Sequence, residues 1–162
     1  MATLKFPSRI DLPEETRARL VDLLNRNLAN TIVLSLQVKQ AHWNVRGPNF
    51  QFVHELFDTI LVNLREHSDE TAERAAMLGG VPVGTARQIA QAATVDEYDF
   101  GAVSAMQHLH ALSERYAVHA TELRKAVETA AESGDPATED LFTAQLRAVE
   151  KDLWFLESHL HG

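Results

Sequence analysis

The sequence predicts an all-α protein, built as a bundle of four long helices with one long crossover connection. Apolar residues recur every three to four positions over four long stretches, which is the period of an amphipathic helix. The seven glycines and five prolines among the 162 residues cluster between those stretches, where they end helices and form turns. The length fits one hydrophobic core, so we predict a single domain over residues 1–162, with residues 1–12 as a short N-terminal extension.

Proline and glycine bound the first two helices. The first is predicted to begin at Pro13, because proline is favoured in the first helical turn, and to end at the Arg-Gly-Pro break of residues 46–48. The second begins at Pro48 and ends at Gly79 and Gly80. Its apolar stripe consists of Val53, Phe57, Ile60, Leu64, Ala75 and Leu78.

The connection between the second and third helices is long. The helical pattern weakens over residues 84–99, with a short helix predicted over residues 85–93. Thr94 and Glu97 fit a capping box, which would start the third long helix at that point. A connection of roughly twenty residues lets the second and third helices run parallel, as in ferritin-like folds, whereas a simple up-and-down bundle needs only short loops.

The last two helices have clearer ends. The third is predicted to stop at Ser133 and Gly134. The fourth begins with Asp135 as its N-cap and Pro136 as its first helical residue.

Charge and composition exclude several classes of function. The chain has 15 Lys and Arg against 23 Asp and Glu, a formal net charge of −8, which repels nucleic acid and anionic membranes and attracts cations. Cysteine is absent, so any metal site must use histidine and carboxylates. The sequence has no signal-peptide pattern and no membrane-length apolar run, so we expect a cytoplasmic protein with no membrane contact.

The second helix carries a row of residues that can ligate a metal. With His54 set at zero and about 100° per residue, Asp58 lies near 40°, Asp69 near 60° and Glu73 near 100°, all on one face. His54 with Asp58, and Asp69 with Glu73, are i,i+4 pairs whose side chains can converge on one ion. The two pairs are separated by roughly 16 Å along the helix, which is too far for one metal centre.

A second copy of the chain can bring the two separated pairs of ligands together. If it packs antiparallel about a two-fold axis, His54 and Asp58 of one chain meet Asp69 and Glu73 of the other, and two equivalent sites result. His42, near the end of the first helix, would join His54 from the same chain. The predicted site contains two histidines and three carboxylates from two chains.

Imidazole and oxygen ligands without sulfur suit iron, manganese or zinc. A di-iron site inside one bundle would need Glu-x-x-His pairs, and the sequence has none. The alternative is a solvated helix face of mixed charge. An interface is favoured because Leu61 and Val62 lie beside the acids, on a face that is neither core nor uniformly polar.

Several segments together resemble the signature of the Dps family, the mini-ferritins of bacteria and archaea. The resemblance covers about residues 13–159 and is carried by KQAHWNVRG at 39–47, VHELFD at 53–58, Asp69, AER at 72–74, LGG at 78–80, RYA at 115–117, RKA at 124–126 and LWFLES at 153–158. It implies a hollow homododecamer of ferritin-like four-helix bundles, each with a short helix between the second and third. It also implies Fe(II) oxidation, preferably by hydrogen peroxide, and storage of Fe(III) mineral that protects DNA.

The resemblance places the ferroxidase ligands at two-fold subunit interfaces, with zinc or other divalent ions able to substitute for iron. The implied ligands are His42, His54 and Asp58 from one subunit, and Asp69 and Glu73 from its neighbour. Trp43 matches a tryptophan found beside the centre, where it would intercept stray oxidant; the alternative is a packed interface aromatic.

The resemblance also implies acidic pores at three-fold axes through which iron enters. Asp140 aligns with a pore aspartate, Asp135 and Glu139 lie close by, and Glu132 is a weaker candidate. The alternative role of Asp135 and Glu139 is that of ordinary acids at a helix N-terminus.

DNA binding is expected to be weak or absent. Family members that bind DNA by charge usually carry a lysine-rich terminal extension, whereas the first ten residues here contain only Lys5 and Arg9. Two other functions stay open at this point: a DNA-compacting protein with secondary ferroxidase activity, and a structural bundle with an inactive site.

Four further histidines have roles outside the predicted metal centre. His67 is predicted to be solvated or hydrogen-bonded near the interface, and His108, His110 and His119 to lie mostly off the core stripe of the third helix.

Overall fold

A computed structural model describes residues 4–161, which form five α-helices. The helices are α1 (Glu14–Asn44), α2 (Phe50–Met77), α3 (Ala86–Ala92), α4 (Ala105–Glu132) and α5 (Pro136–Ser158). Four long helices form the bundle, and α3 is the short helix in the connection between α2 and α4. The predicted all-α bundle with a short helix in its long connection is confirmed.

The bundle consists of two helical hairpins packed together. α1 packs mainly on α2 and α4 mainly on α5, and the hairpins meet where α1 faces α4 and α2 faces α5. Their aliphatic and aromatic side chains share one core. The largest fully buried members are Tyr116, Phe57, Phe142, Leu20, Leu24, Leu34, Ile60, Leu64, Leu78, Leu109, Leu112 and Leu123.

Side-chain amides on α1 hold the connection along the bundle. Each bonds a backbone group of the connection at 2.7–2.9 Å: Asn25 to the Val83 N–H, Asn30 to the Thr94 N–H, and Gln37 to the Asp96 carbonyl. These bonds satisfy backbone groups that have no partner in a helix or sheet, so the connection runs in one defined path across the bundle.

Two predicted helix starts were wrong. α2 begins at Phe50, because Gly47 (φ +104°) and Asn49 (φ +61°), on either side of Pro48, take positive-φ conformations that form a turn. The capping box at Thr94 does not form, because the Thr94 backbone is bound by Asn30 of α1. α4 begins ten residues later, where Ser104 and Gln107 form the capping box.

Asp135 caps α5 as predicted. Its carboxylate accepts from the Ala137 N–H at 3.3 Å, and Pro136 follows at the first helical position. The carboxylate is only 3% exposed and also pairs with Arg74 of α2 at 2.7 Å. Burial alone would raise the pKa of Asp135, but hydrogen bonds from Thr138 and Arg74 and the Arg74 charge hold it below its ordinary value.

Three of the four further histidines are buried, and for His108 and His119 this contradicts the prediction. His67, His108 and His119 are 8%, 1% and 2% exposed, whereas His110 is exposed as expected. These histidines lie on the inner faces of their helices, but the prediction of those faces counted only apolar residues and therefore left the histidines out. Burial lowers the pKa of His119 to about 4 and also lowers the pKa of His67, so both rings are neutral inside the bundle at neutral pH.

No helix among residues 4–161 combines the length and apolar character that crossing a bilayer requires.

Candidate metal centre

Two histidines stack where α1 ends and α2 begins. His42 lies in the last turn of α1 and His54 in the second turn of α2, and the short turn over residues 45–49 brings them together. Their ring centroids are 3.6 Å apart with an interplanar angle of 24°. His42 is buried and His54 is half-buried, so the pair has one side in the core and one side open.

Reciprocal hydrogen bonds fix the tautomer of both rings. His42 Nδ1 lies 3.0 Å from the His54 carbonyl oxygen, and His54 Nδ1 lies 2.9 Å from the His42 carbonyl oxygen. A carbonyl oxygen only accepts, so each Nδ1 carries a proton and donates it. In the neutral rings the lone pair is therefore on Nε2, which is the state that ligates a metal.

Asp58 completes a group of three on one chain. It lies one turn after His54, and one ligand atom each from His42, His54 and Asp58 lie within 4.8 Å of one another. Asp58 is exposed, which leaves its carboxylate accessible from outside the subunit. We call His42, His54 and Asp58 the histidine half-site.

Lys39 is a charged neighbour of Asp58 that the sequence analysis missed. Its Nζ lies 2.7 Å from Asp58 Oδ1, the oxygen that also lies 3.3 Å from His42 Nδ1. The hydrogen bond from Lys39 lowers the pKa of Asp58, with further lowering by the charge of His42. The signal was in the spacing, since Lys39 precedes His42 by three residues and shares its face of α1.

Asp69 and Glu73 lie far from this group. Both are exposed and lie towards the C-terminal end of α2, and Asp69 follows Asp58 by eleven positions. Within residues 4–161, the histidine half-site is the one group of three or more potential ligands close enough to share an ion. We call Asp69 and Glu73 the carboxylate half-site. One chain therefore presents two separate groups of potential ligands.

Large apolar side chains are exposed on the helices that carry the half-sites. Leu36 and Trp43 on α1 are 63% and 61% exposed, and Val62 on α2 is 61% exposed. Large exposed apolar side chains around polar groups are typical of a protein–protein interface. Trp43 also lines a surface cavity of about 370 Å³ together with His42 and His54.

The structure separates the predicted pore residues. Asp140 is exposed and Glu139 is half-buried in the first turns of α5, and Glu132 is exposed at the end of α4. Asp135 is buried against Arg74. A surface cavity of about 330 Å³ is lined by Glu70, Glu73, Arg74, Met77, Ala137, Asp140, Leu141 and Ala144. The carboxylate half-site and a predicted pore residue thus border the same cavity.

Comparison with known proteins identifies relatives over most of the chain. The ferritin-like domain family matches residues 21–162. The "DNA protection during starvation protein" of Agrobacterium fabrum (strain C58) is 43% identical over 150 residues, which cover 93% of each protein.

Solved structures are similar in both fold and sequence. DpsA14 from Streptomyces coelicolor superposes with a TM-score of 0.94 and 38% identity, covering 99% of this chain and 95% of that chain. DpsC from the same organism gives a TM-score of 0.92 and 34% identity, covering 100% and 93%.

Proposed function

Because the chain belongs to the Dps family of ferritin-like proteins, we propose that it is an iron-oxidising and iron-storing mini-ferritin. It oxidises Fe(II) with hydrogen peroxide at centres shared between subunits, stores Fe(III) mineral in a hollow dodecamer and thereby protects DNA. The observation that carries this proposal is the division of five potential ligands into two incomplete groups at opposite ends of α2.

Two-fold pairing completes the centre. An antiparallel second copy brings its Asp69 and Glu73 to the histidine half-site of the first, and its own histidine half-site to Asp69 and Glu73 of the first. The exposed Leu36, Trp43 and Val62 supply apolar surface for this contact. Two equivalent centres form for every pair of subunits.

The donor set fits iron. Carboxylate oxygens and imidazole nitrogens bind Fe(II), and zinc or other divalent ions can take the same ligands. Two Fe(II) ions give one electron each to hydrogen peroxide, and with two protons the products are two Fe(III) ions and two water molecules. Paired oxidation avoids the single-electron reaction that releases hydroxyl radical, which is the chemical basis of DNA protection.

Peroxide titration tests this function. Protein loaded anaerobically with Fe(II) is titrated with hydrogen peroxide while Fe(III) absorbance and a hydroxyl-radical spin trap are recorded. We expect the absorbance to stop rising at one peroxide per two ferrous ions, with little trapped radical. Oxidation no faster than in protein-free buffer, or a radical yield equal to that of buffer, contradicts the proposal.

Lys39 is proposed to act as a built-in competitor of iron at Asp58. The ammonium must leave the carboxylate before a metal binds there, so Lys39→Met should strengthen Zn(II) binding to the assembled protein by about five- to tenfold. Isothermal titration calorimetry measures this change. Lys125→Met, which removes an exposed cation paired with Glu122 on α4, is the matched control and should leave binding unchanged. Equal or weaker binding by Lys39→Met overturns the competitor role.

Asp140 and Glu139 are proposed to line the pore that admits iron. The Arg74 pair and the helix cap occupy the carboxylate of Asp135, so its role in this proposal is to position α5 beside the pore. Iron that passes Asp140 would reach the cavity that Glu73 also lines.

DNA compaction is proposed to be weak or absent. The net charge of −8 opposes binding to phosphate, and the backbone N–H groups of Lys5 and Phe6 are bound to the Gly79 carbonyl at 3.0 and 3.1 Å. Those bonds hold this segment, including one of its two basic residues, against the subunit. Protection of DNA would then arise from the removal of iron and peroxide.

A further inference from the structure

A buried tyrosine and histidine form a hydrogen-bonded pair behind the histidine half-site. Tyr98, in the connection before α4, is 3% exposed, and His108, in the first turns of α4, is 1% exposed. The Tyr98 hydroxyl oxygen lies 2.7 Å from His108 Nδ1. Neither residue belongs to the proposed ligand set. The proposed iron chemistry at the ligands therefore gives no reason for burying a phenol and an imidazole together here.

The surroundings of the pair favour a neutral phenol that donates to a neutral ring. Burial raises the pKa of Tyr98 well above its ordinary value and lowers the pKa of His108. With a neutral phenol donating its O–H to Nδ1, the neutral His108 ring carries its own proton on Nε2. The backbone of Asn44, at the end of α1, partly offsets this lowering of the His108 pKa.

A cation lies over the Tyr98 ring. The guanidinium carbon of Arg115 is 5.2 Å from the ring centroid. A nearby positive charge disfavours loss of an electron from the phenol unless its proton leaves at the same time. His108 Nδ1 is placed to accept that proton.

The pair is in contact with the elements that carry the half-site. The His108 ring lies 6.5 Å from the Phe57 ring, centroid to centroid, and fully buried Phe57 is the neighbour of Asp58 in α2. On the α1 side, Asn44 follows His42 by two residues. His108 thus contacts α2 through Phe57, the residue that precedes Asp58 in the sequence.

We propose that Tyr98 is a redox-active tyrosine, which supplies the second electron when hydrogen peroxide meets a centre that holds only one Fe(II). This inference rests on the proposed ferroxidase function. The O–O bond of peroxide breaks to give two hydroxide ions, one electron comes from Fe(II), and the other comes from Tyr98. The phenolic proton moves to His108 Nδ1, leaving Fe(III), a neutral tyrosyl radical and an imidazolium.

The step removes the need for a partner iron. Without Tyr98, one Fe(II) and one peroxide give hydroxide and free hydroxyl radical. With Tyr98, the unpaired electron stays in the protein interior, away from solvent. A later Fe(II) returns the electron, and His108 returns the proton to the phenolate oxygen, so the pair is restored.

Freeze-quench EPR tests the proposal, because the chain has only two tyrosines. Assembled protein is loaded anaerobically with less than one Fe(II) per centre, mixed with hydrogen peroxide and frozen, while a parallel sample is followed optically for Fe(III). We expect a tyrosyl signal in the wild type, its loss in Tyr98→Phe, and its retention in the matched control Tyr116→Phe. Tyr98→Phe should also raise the yield of trapped hydroxyl radical.

A second experiment, isotope labelling, identifies the radical without relying on the folding of Tyr98→Phe. In Tyr116→Phe grown with ring-deuterated tyrosine, Tyr98 is the only labelled residue, so narrowing of the signal assigns the radical to it. His108→Gln, which removes the proton acceptor, should abolish the signal while fully loaded protein still oxidises paired Fe(II) at the wild-type rate.

The outcomes separate this inference from the proposed function. Normal Fe(III) formation without a tyrosyl signal, or a signal that persists in Tyr98→Phe or is lost in Tyr116→Phe, overturns the role of Tyr98 alone. Absence of Fe(III) formation in fully loaded wild-type protein overturns both.

Discussion

Asp58→Ala is expected to slow peroxide-driven Fe(II) oxidation by at least about 100-fold, and Glu73→Ala is expected to do the same although the two carboxylates lie in opposite halves of α2. Each substitution removes an oxygen ligand from the same composite centre, contributed by one chain in the first case and by its neighbour in the second. Stopped-flow absorbance of Fe(III) at saturating peroxide measures the rate.

Glu55→Ala is the matched control for both variants. Glu55 is an exposed acid of α2, one residue after His54, and its carboxylate pairs with Gln51 rather than with either half-site. Its replacement should leave the rate within about twofold of wild type, as is usual for a surface position. Wild-type rates for Asp58→Ala or Glu73→Ala would remove these residues from the centre.

Arg74→Ala is expected to give the largest loss of stability, about 3–5 kcal/mol in the free energy of unfolding. The substitution leaves the Asp135 carboxylate buried at 3% exposure without its cationic partner. The pKa of Asp135 is lowered in the folded protein, so its contribution is present above the unfolded-state pKa and lost as pH falls through the folded value. The loss from Arg74→Ala should therefore be largest near neutral pH and shrink in acid.

Chemical denaturation at fixed protein concentration measures this loss, because unfolding of an oligomer depends on concentration. Arg124→Ala removes a guanidinium that pairs with Glu150 on the surface, and should cost no more than about 1 kcal/mol. Arg74→Ala combined with Asp135→Asn should recover much of the stability, because asparagine still caps α5 without a buried charge. A loss for Arg74→Ala as small as that for Arg124→Ala refutes the buried-pair account.

Local chemistry explains which helix ends could be predicted. Asp135 and Pro136 start α5 through local effects. The Asp135 carboxylate accepts a hydrogen bond from the first helical turn, and the adjacent Pro136 favours the first helical position. The start of α4 was placed too early because Thr94 is bound by Asn30, which lies 64 residues away in sequence. A competing tertiary contact of that kind has no local signature.

The buried histidines show a limit of periodicity. A hydrophobic stripe is counted from apolar residues, so it does not reveal that His119 lies inside, where its Nε2 meets the Thr31 hydroxyl at 3.4 Å. The neutral state that makes its burial possible depends on neighbours from another helix. Such neighbours are fixed only when the bundle is assembled.

Only part of the geometry of the histidine half-site could be predicted from the sequence. Spacing alone places His54 with Asp58, because side chains four residues apart on a helix are neighbours. The stacking of His42 on His54 depends on the left-handed turn residues between α1 and α2, and the Lys39 contact depends on the packing of those two helices. Both features need the three-dimensional structure.

Mixing two inactive variants tests most directly whether each centre is built from two chains. Asp58→Ala and Glu73→Ala subunits carrying different tags are co-expressed, and the mixed assemblies are purified and assayed for Fe(II) oxidation. In a mixed pair, one centre has both substitutions and the other has none, so random pairing should restore about a quarter of wild-type activity. Activity no higher than that of either variant alone would show that one chain supplies all the ligands of its own centre.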